Sequence, residues 1–150
     1  MRIEDLSKET IRYFERLPGY DTLRMLLCKK AILVEGPSDE LVVQKAYLDM
    51  KGILPIEDGV DVISVGTSFP RFMEVAQKTE STVVVIADND GNFEEKITKR
   101  FAEFSDCDFI KVCAETNPAL NTLEPSIVEV NKDTLSDFCA VLQLDAYSGR

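Results

Sequence analysis

The chain has 150 residues, 45% of them hydrophobic, which suits one domain with one proper core. Its 27 acidic residues outnumber 17 basic ones, and a net charge of −10 argues against tight nucleic-acid binding by overall charge alone; bound divalent cations would reverse that repulsion locally. No apolar run approaches the roughly 18 residues of a membrane helix, and Met1-Arg2-Ile3-Glu4-Asp5 lacks the apolar core of a signal peptide, so a cytoplasmic protein with no membrane partner is expected. The absence of histidine and of any CxxC pairing among Cys28, Cys107, Cys113 and Cys139 argues against zinc or haem and predicts reduced, mostly buried thiols.

Residues 1–28 read as a helical lead-in. Asp5 or Ser7 caps a helix with Ile11, Phe14 and Leu17 at helical spacing, and Pro18-Gly19 stops it. A second short helix is predicted from about Asp21, with Leu23, Leu26 and Leu27 apolar. The segment has no strand, so it either connects to something N-terminal or is an ordinary helix covering the sheet. The stretch Ala31-Ile-Leu-Val-Glu-Gly-Pro-Ser-Asp-Glu40 follows: Ile32 to Val34 form a short buried strand, the chain turns at Gly36, and Ser38, Asp39 and Glu40 occupy the first turn of a helix. That helix shows a broad apolar face of Leu41, Val42, Val43, Ala46, Tyr47 and Met50 and ends near Gly52.

Residues 53–60 form a loop before a second strand, Asp61 to Val65. Gly66-Thr67-Ser68 then leads into a helix with Phe69, Phe72, Met73 and Ala76 inward. Ser81 to Ala87 is the third strand, and its β-branched run is what a central, doubly covered strand requires. It ends in Asp88-Asn89-Asp90-Gly91. The next helix carries Phe93, Ile97 and Phe101 at i, i+4 and i+8, and Phe109 to Cys113 is the fourth strand. Ala114 to Asn121 is a loop, Thr122-Leu123-Glu124-Pro125 opens a helical stretch, and Asp133 or Thr134 caps a last helix with Leu135, Phe138, Cys139 and Leu142 inward. This alternation predicts an α/β fold: a mostly parallel four-stranded sheet with helices on both faces.

If the strands are parallel, all three early βα turns lie along one edge of the sheet, where open α/β folds bind ligands. The first turn supplies Glu35 and Asp39, the third Asp88 and Asp90, and neighbouring strands are only about 4.8 Å apart. Carboxylates so close either protonate or take up cations. Hard oxygen donors favour Mg²⁺ or Mn²⁺, and two such ions about 3.5–4 Å apart suit phosphodiester hydrolysis, one activating the attacking water and the other stabilising the leaving oxygen. Asp88 and Asp90, two apart at the end of an extended strand, would point to one side, with Gly91 permitting a sharp exit. Each feature also has a structural reading: Ser38 or Asp39 as helix cap, Asp-Asn-Asp-Gly as a turn with Asx bonds, Thr67 and Ser68 as caps of the following helix.

Leu33-Val-Glu-Gly36 with Asp39, followed by Val84-Val-Ile-Ala-Asp-Asn-Asp-Gly91, resembles the Toprim domain of topoisomerases, primases and small nucleases. With Leu17-Pro-Gly-Tyr-Asp21 and Val62-Ile-Ser-Val-Gly66 added, the chain is similar over most of residues 17–130 to the Toprim part of the overcoming-lysogenization-defect (OLD) family of ATP-dependent endonucleases. The resemblance implies a Toprim-like catalytic domain over 29–150, two divalent metals, and a DNA substrate that is nicked or cleaved. It places the strand-end glutamate at Glu35, the acidic residue four later at Asp39, and the DxD at Asp88 and Asp90. Thr122-Leu123-Glu124 fits a later element that adds Glu124 as a metal ligand, a placement resting on three residues. A late lysine that stabilises transition-state charge has no clear counterpart before Arg150; Lys132 is a weak candidate.

The resemblance also implies an ATPase domain N-terminal to this piece, as a partner within a longer parent chain. No GxxxxGK[ST] loop is present here, so ATP would act only through that domain. The isolated piece is then expected to bind metal yet cut DNA poorly or not at all. A second copy of the chain is a further candidate partner. Other readings stay open. Nucleotidyl or strand transfer of the topoisomerase or primase type would use the same acidic frame, but Tyr13, Tyr20, Tyr47 and Tyr147 have no context supporting a nucleophile. A phosphoacceptor receiver domain fits Asp88-Asn-Asp90 badly and lacks its late lysine. A non-catalytic interaction module with a relic acidic pocket completes the set.

Overall fold

The computed structural model describes residues 3–16, 24, 25 and 27–141. The Pro18-Gly19 stop, the Leu17 to Asp21 part of the resemblance, Leu23, Leu26 and Leu142 lie outside the described residues. Helix α1 (Lys8–Arg16) is capped by Ser7, whose Oγ accepts a hydrogen bond from the Thr10 amide at 3.2 Å. Next come β1 (Lys30–Val34), α2 (Pro37–Lys51), β2 (Val60–Ser64), α3 (Phe69–Thr79), β3 (Thr82–Ile86), β4 (Ile110–Cys113), α4 (Leu123–Val130) and α5 (Leu135–Val141). Each predicted strand is present within a residue or two of its expected ends.

The four strands form a wholly parallel sheet in the order β2-β1-β3-β4. In that order the chain leaves β1 toward one side of the sheet and reaches β3 and β4 on the other. The gap between β1 and β3 is therefore the switch point where loops diverge and leave a crevice. Leu33 is in register with Val85, so Glu35 stands level with Ala87, one residue before Asp88.

Period-2 alternation sends Ala31, Leu33, Val83 and Val85 to one face, where they join Phe69, Phe72, Met73 and Ala76 of α3 in the main core. α1 lies outside α3: the Tyr13 and Phe14 rings meet Phe72 edge-on at centroid distances of 6.0 and 5.1 Å. The lead-in helix is thus part of the domain's packing, covering α3 rather than the sheet. Glu74 of α3 accepts hydrogen bonds from the Ser7 amide, the Ser7 hydroxyl and the fully buried Thr10 hydroxyl, which fastens the start of α1.

The other face is more thinly covered. α2 lies mainly over β1 and β2, and the predicted broad apolar face is largely in solvent, with Leu41 69% and Met50 84% exposed. Only Val43 and Tyr47 of that set are half-buried. After β3 the expected helix is a π-helical segment, Glu94–Lys99, followed by a 3-10 turn, Ala102–Phe104. Ile97, Phe101 and Phe104 are all buried in the core. A 3-10 turn, Lys132–Thr134, precedes α5, and neither Asp133 nor Thr134 caps it through a side chain. Of the cysteines, all free, only Cys139 is buried; Cys28, Cys107 and Cys113 are intermediate.

Candidate functional site

Glu35 follows directly on β1, and its carbonyl accepts hydrogen bonds from the Gly66 amide at 3.0 Å and the Ser64 hydroxyl at 3.1 Å. The first two βα turns are thereby tied together at the sheet edge. Gly36 has extended backbone, so its φ does not require glycine. A Cβ there would lie 3.2 Å from Asp39 Oδ2, the oxygen that accepts a 2.7 Å hydrogen bond from the Gly36 amide, and would press that carboxylate to shift by a few tenths of an ångström. Asp39 therefore does fill its structural role at the start of α2, using one carboxylate oxygen. Thr67 and Ser68 do not fill theirs. α3 starts without a side-chain cap, on Pro70 and a backbone bond from the Arg71 amide to the Ser68 carbonyl. The Thr67 carbonyl instead accepts a 2.5 Å hydrogen bond from Arg100.

The Asp88-Asn89-Asp90-Gly91 turn is built around its middle asparagine, which the sequence reading did not single out. Asn89 is 1% exposed. Its amide donates to the carbonyls of Glu115 at 2.6 Å and Asn117 at 3.1 Å, and its Oδ1 accepts from the Gly91 amide at 2.8 Å. That last contact is the Asx bond expected of such a turn. Because β3 ends at Ile86 and Asn89 turns inward, Asp90 does not continue an extended strand. It has a left-handed φ of 46°, and its carboxylate meets Lys96 Nζ at 2.8 Å. In the sequence these two residues show only as an asparagine between two aspartates and a lysine six residues on.

Asp88 is half-buried, and its carboxyl is pushed up from the usual 3.8 to about 6. Burial contributes most, followed by the negative charges of Asp39, Glu35, Asp90 and Glu124 in that order. The other four acidic side chains picked out from the sequence thus all act on Asp88, although they come from two βα turns and a helix start. Glu124 stands exposed in the first turn of α4; its own backbone amide and the Thr122 hydroxyl hold its carboxyl below the usual range. A pocket of about 360 Å³ opens beside the cluster, lined by Asp39, Asp88, Asn89, Glu115, Thr122 and Ser126 among others.

Among the described residues, no three such side chains close round one point as a ready-made metal site. The donor set nevertheless fits a hard divalent cation, because mutual repulsion and burial leave Asp88 short of positive charge. Lys132 pairs with Glu129 at 2.7 Å on the last turn of α4. Tyr13 is packed against Phe14 and Phe72, and the Tyr47 hydroxyl donates to Asp58; Tyr20 and Tyr147 lie outside the described residues. No described helix is long and apolar enough to cross a membrane.

No curated protein and no solved structure matches the chain. A sequence family does, and the match begins before β1 and ends within the Asp88-Asn89-Asp90-Gly91 turn. It spans both loops that flank the switch point, so four of the five converging carboxylates fall inside it. Residues 26–90 match the family described as "Overcoming lysogenization defect protein-like, TOPRIM domain".

Proposed function

We propose that the chain is the phosphodiester-cleaving part of a divalent-metal-dependent DNA endonuclease. The observation that carries this reading is the raised proton affinity of Asp88, produced by burial together with Asp39, Glu35, Asp90 and Glu124 at the switch point of the sheet. Mg²⁺ or Mn²⁺ ions held by these five carboxylates would supply an activated water and neutralise charge at the scissile phosphate. Asp88 carries its proton below about 6 and is mostly ionised at neutrality, where the neighbouring carboxylates make its charge costly and a cation would relieve it. Asn89 holds the turn that presents Asp88 and Asp90 against the loop after β4. Lys96 neutralises Asp90 and keeps a cation at the rim of the site. Glu35, anchored through its backbone carbonyl, has a carboxylate without a hydrogen bond among the described residues, with which to orient water.

The test combines Mn²⁺ binding by the chain, measured by calorimetry, with cleavage of supercoiled plasmid by the longer parent chain in Mg²⁺ or Mn²⁺. Glu35→Ala and Asp88→Ala are expected to abolish metal-dependent cleavage and weaken Mn²⁺ binding by roughly tenfold or more, while circular dichroism stays native. Wild-type cleavage by both variants, or a wild-type chain that binds no Mn²⁺, refutes the reading.

A further inference from the structure

A second site lies between α1 and α3, where Arg12, Arg16 and Arg71 line an open pocket of about 490 Å³ with Tyr13 and Glu9. Arg71 meets Glu9 at 2.6 Å. Arg12 and Arg16 are exposed and make no ion pair or hydrogen bond among the described residues. Three guanidinium groups against one carboxylate leave a net positive pocket in a chain whose net charge is −10.

Its position follows from the packing of the two helices. Ser7 and Thr10 bond Glu74 in the middle of α3, whereas Arg12 and Arg16 share the pocket with Arg71 in its first turn. The end of α1 therefore lies toward the start of α3. That start follows β2 by four residues and so sits at the carboxyl edge of the sheet, the edge that carries Glu35 and Asp88. Two further cations stand along this edge: Arg100, bonded to the Thr67 carbonyl, and Lys96, on Asp90.

We propose that the Arg12, Arg16 and Arg71 pocket grips the phosphate backbone of duplex DNA and leads it along the sheet edge toward the acidic cluster. The proposal rests on the nuclease reading above and names where the substrate is held. Planar guanidinium groups match phosphate oxygens two at a time, and two of the three are unengaged among the described residues. The acidic remainder of the surface repels a polyanion, so its approach is confined to such a positive patch. Glu9 holds the Arg71 guanidinium at the pocket wall.

Binding of a short labelled duplex is measured in EDTA as a function of salt, by the chain and by R12Q/R16Q and each single variant. Omitting metal separates this test from the cleavage test: loss of cleavage in the Glu35 or Asp88 variants leaves it intact, and its failure leaves metal-dependent cleavage standing. Each lost phosphate contact lowers the slope of log K against log salt by about 0.9. The double variant is expected to lose a slope of about 2 and on the order of ten- to sixty-fold in affinity at about 0.1 M salt, and each single variant a slope of about 1. Should the double variant lower the thermal midpoint, the single variants decide. Wild-type slopes in the single variants, no duplex binding by the wild type, or competition by millimolar inorganic phosphate as effective as by unlabelled duplex each overturn the proposal.

Discussion

Asp88→Asn in the metal-free protein is expected to raise stability above pH 6 while removing a residue the proposed chemistry needs. The Asp88 carboxyl is lifted from 3.8 to about 6 in the folded protein. Below 3.8 the group is protonated in both states and contributes nothing. Between 3.8 and about 6 the folded state binds more protons than the unfolded state, so stability falls as pH rises; above about 6 the full penalty is present. At about 1.36 kcal/mol per tenfold change in proton affinity, the lift corresponds to roughly 3 kcal/mol. Asp88 keeps much of its contact with water, and screening reduces this to about 1–1.5 kcal/mol. For a chain of this length that is an increase of roughly 2–6 °C in Tm for the asparagine variant at pH 7.5, shrinking toward zero near pH 4.

Thermal or urea unfolding in EDTA across this pH range measures the difference directly. Adding Mn²⁺ is expected to close the gap by stabilising the wild type more than the variant. A variant no more stable than wild type at pH 7.5, or one whose gain is the same at pH 4, would show that burial and the other four carboxylates do not penalise the Asp88 charge, and the metal-centre reading would lose its main support.

Asn89→Ala removes two side-chain bonds to the Glu115 and Asn117 carbonyls from a position 1% exposed. The cost is expected to be about 2–3 kcal/mol by urea unfolding, with protease sensitivity appearing in the loop after β4; an unchanged midpoint would contradict the clamp role. Glu74→Gln addresses the anchoring of α1. Burial works to lift the Glu74 carboxyl, but hydrogen bonds from Thr10 and Ser7, helped by Arg71, hold it below the usual range. Its contribution is therefore present above the ordinary glutamate range and is lost as pH falls through the lowered value. The variant is expected to lose about 1 kcal/mol at pH 7, and its deficit should shrink in acid; a pH-independent deficit would contradict the ionised anchor.

The sequence by itself determined the parts whose signal is local. Alternation and β-branched runs located β1 to β4, Ser7 offered a cap three residues before Thr10, and acidic residues just beyond β1 and β3 marked Glu35, Asp39, Asp88 and Asp90. Only the tertiary structure decided how those parts face one another. Hydrophobic periodicity reports how deeply a strand is buried but not which strand lies beside it, and it is the β2-β1-β3-β4 order that brings β1 against β3 and opens the crevice between their loops. The same limit explains α2, whose apolar positions look like a core face but overhang the two strands beneath them. It explains the DxD turn as well: Asn89, polar in sequence, is buried because carbonyls from a distant loop meet its amide, and Asp90 is rotated toward Lys96 as a consequence. Long-range hydrogen bonds and strand order depend on contacts between segments far apart in the chain, and no pattern within one segment encodes them.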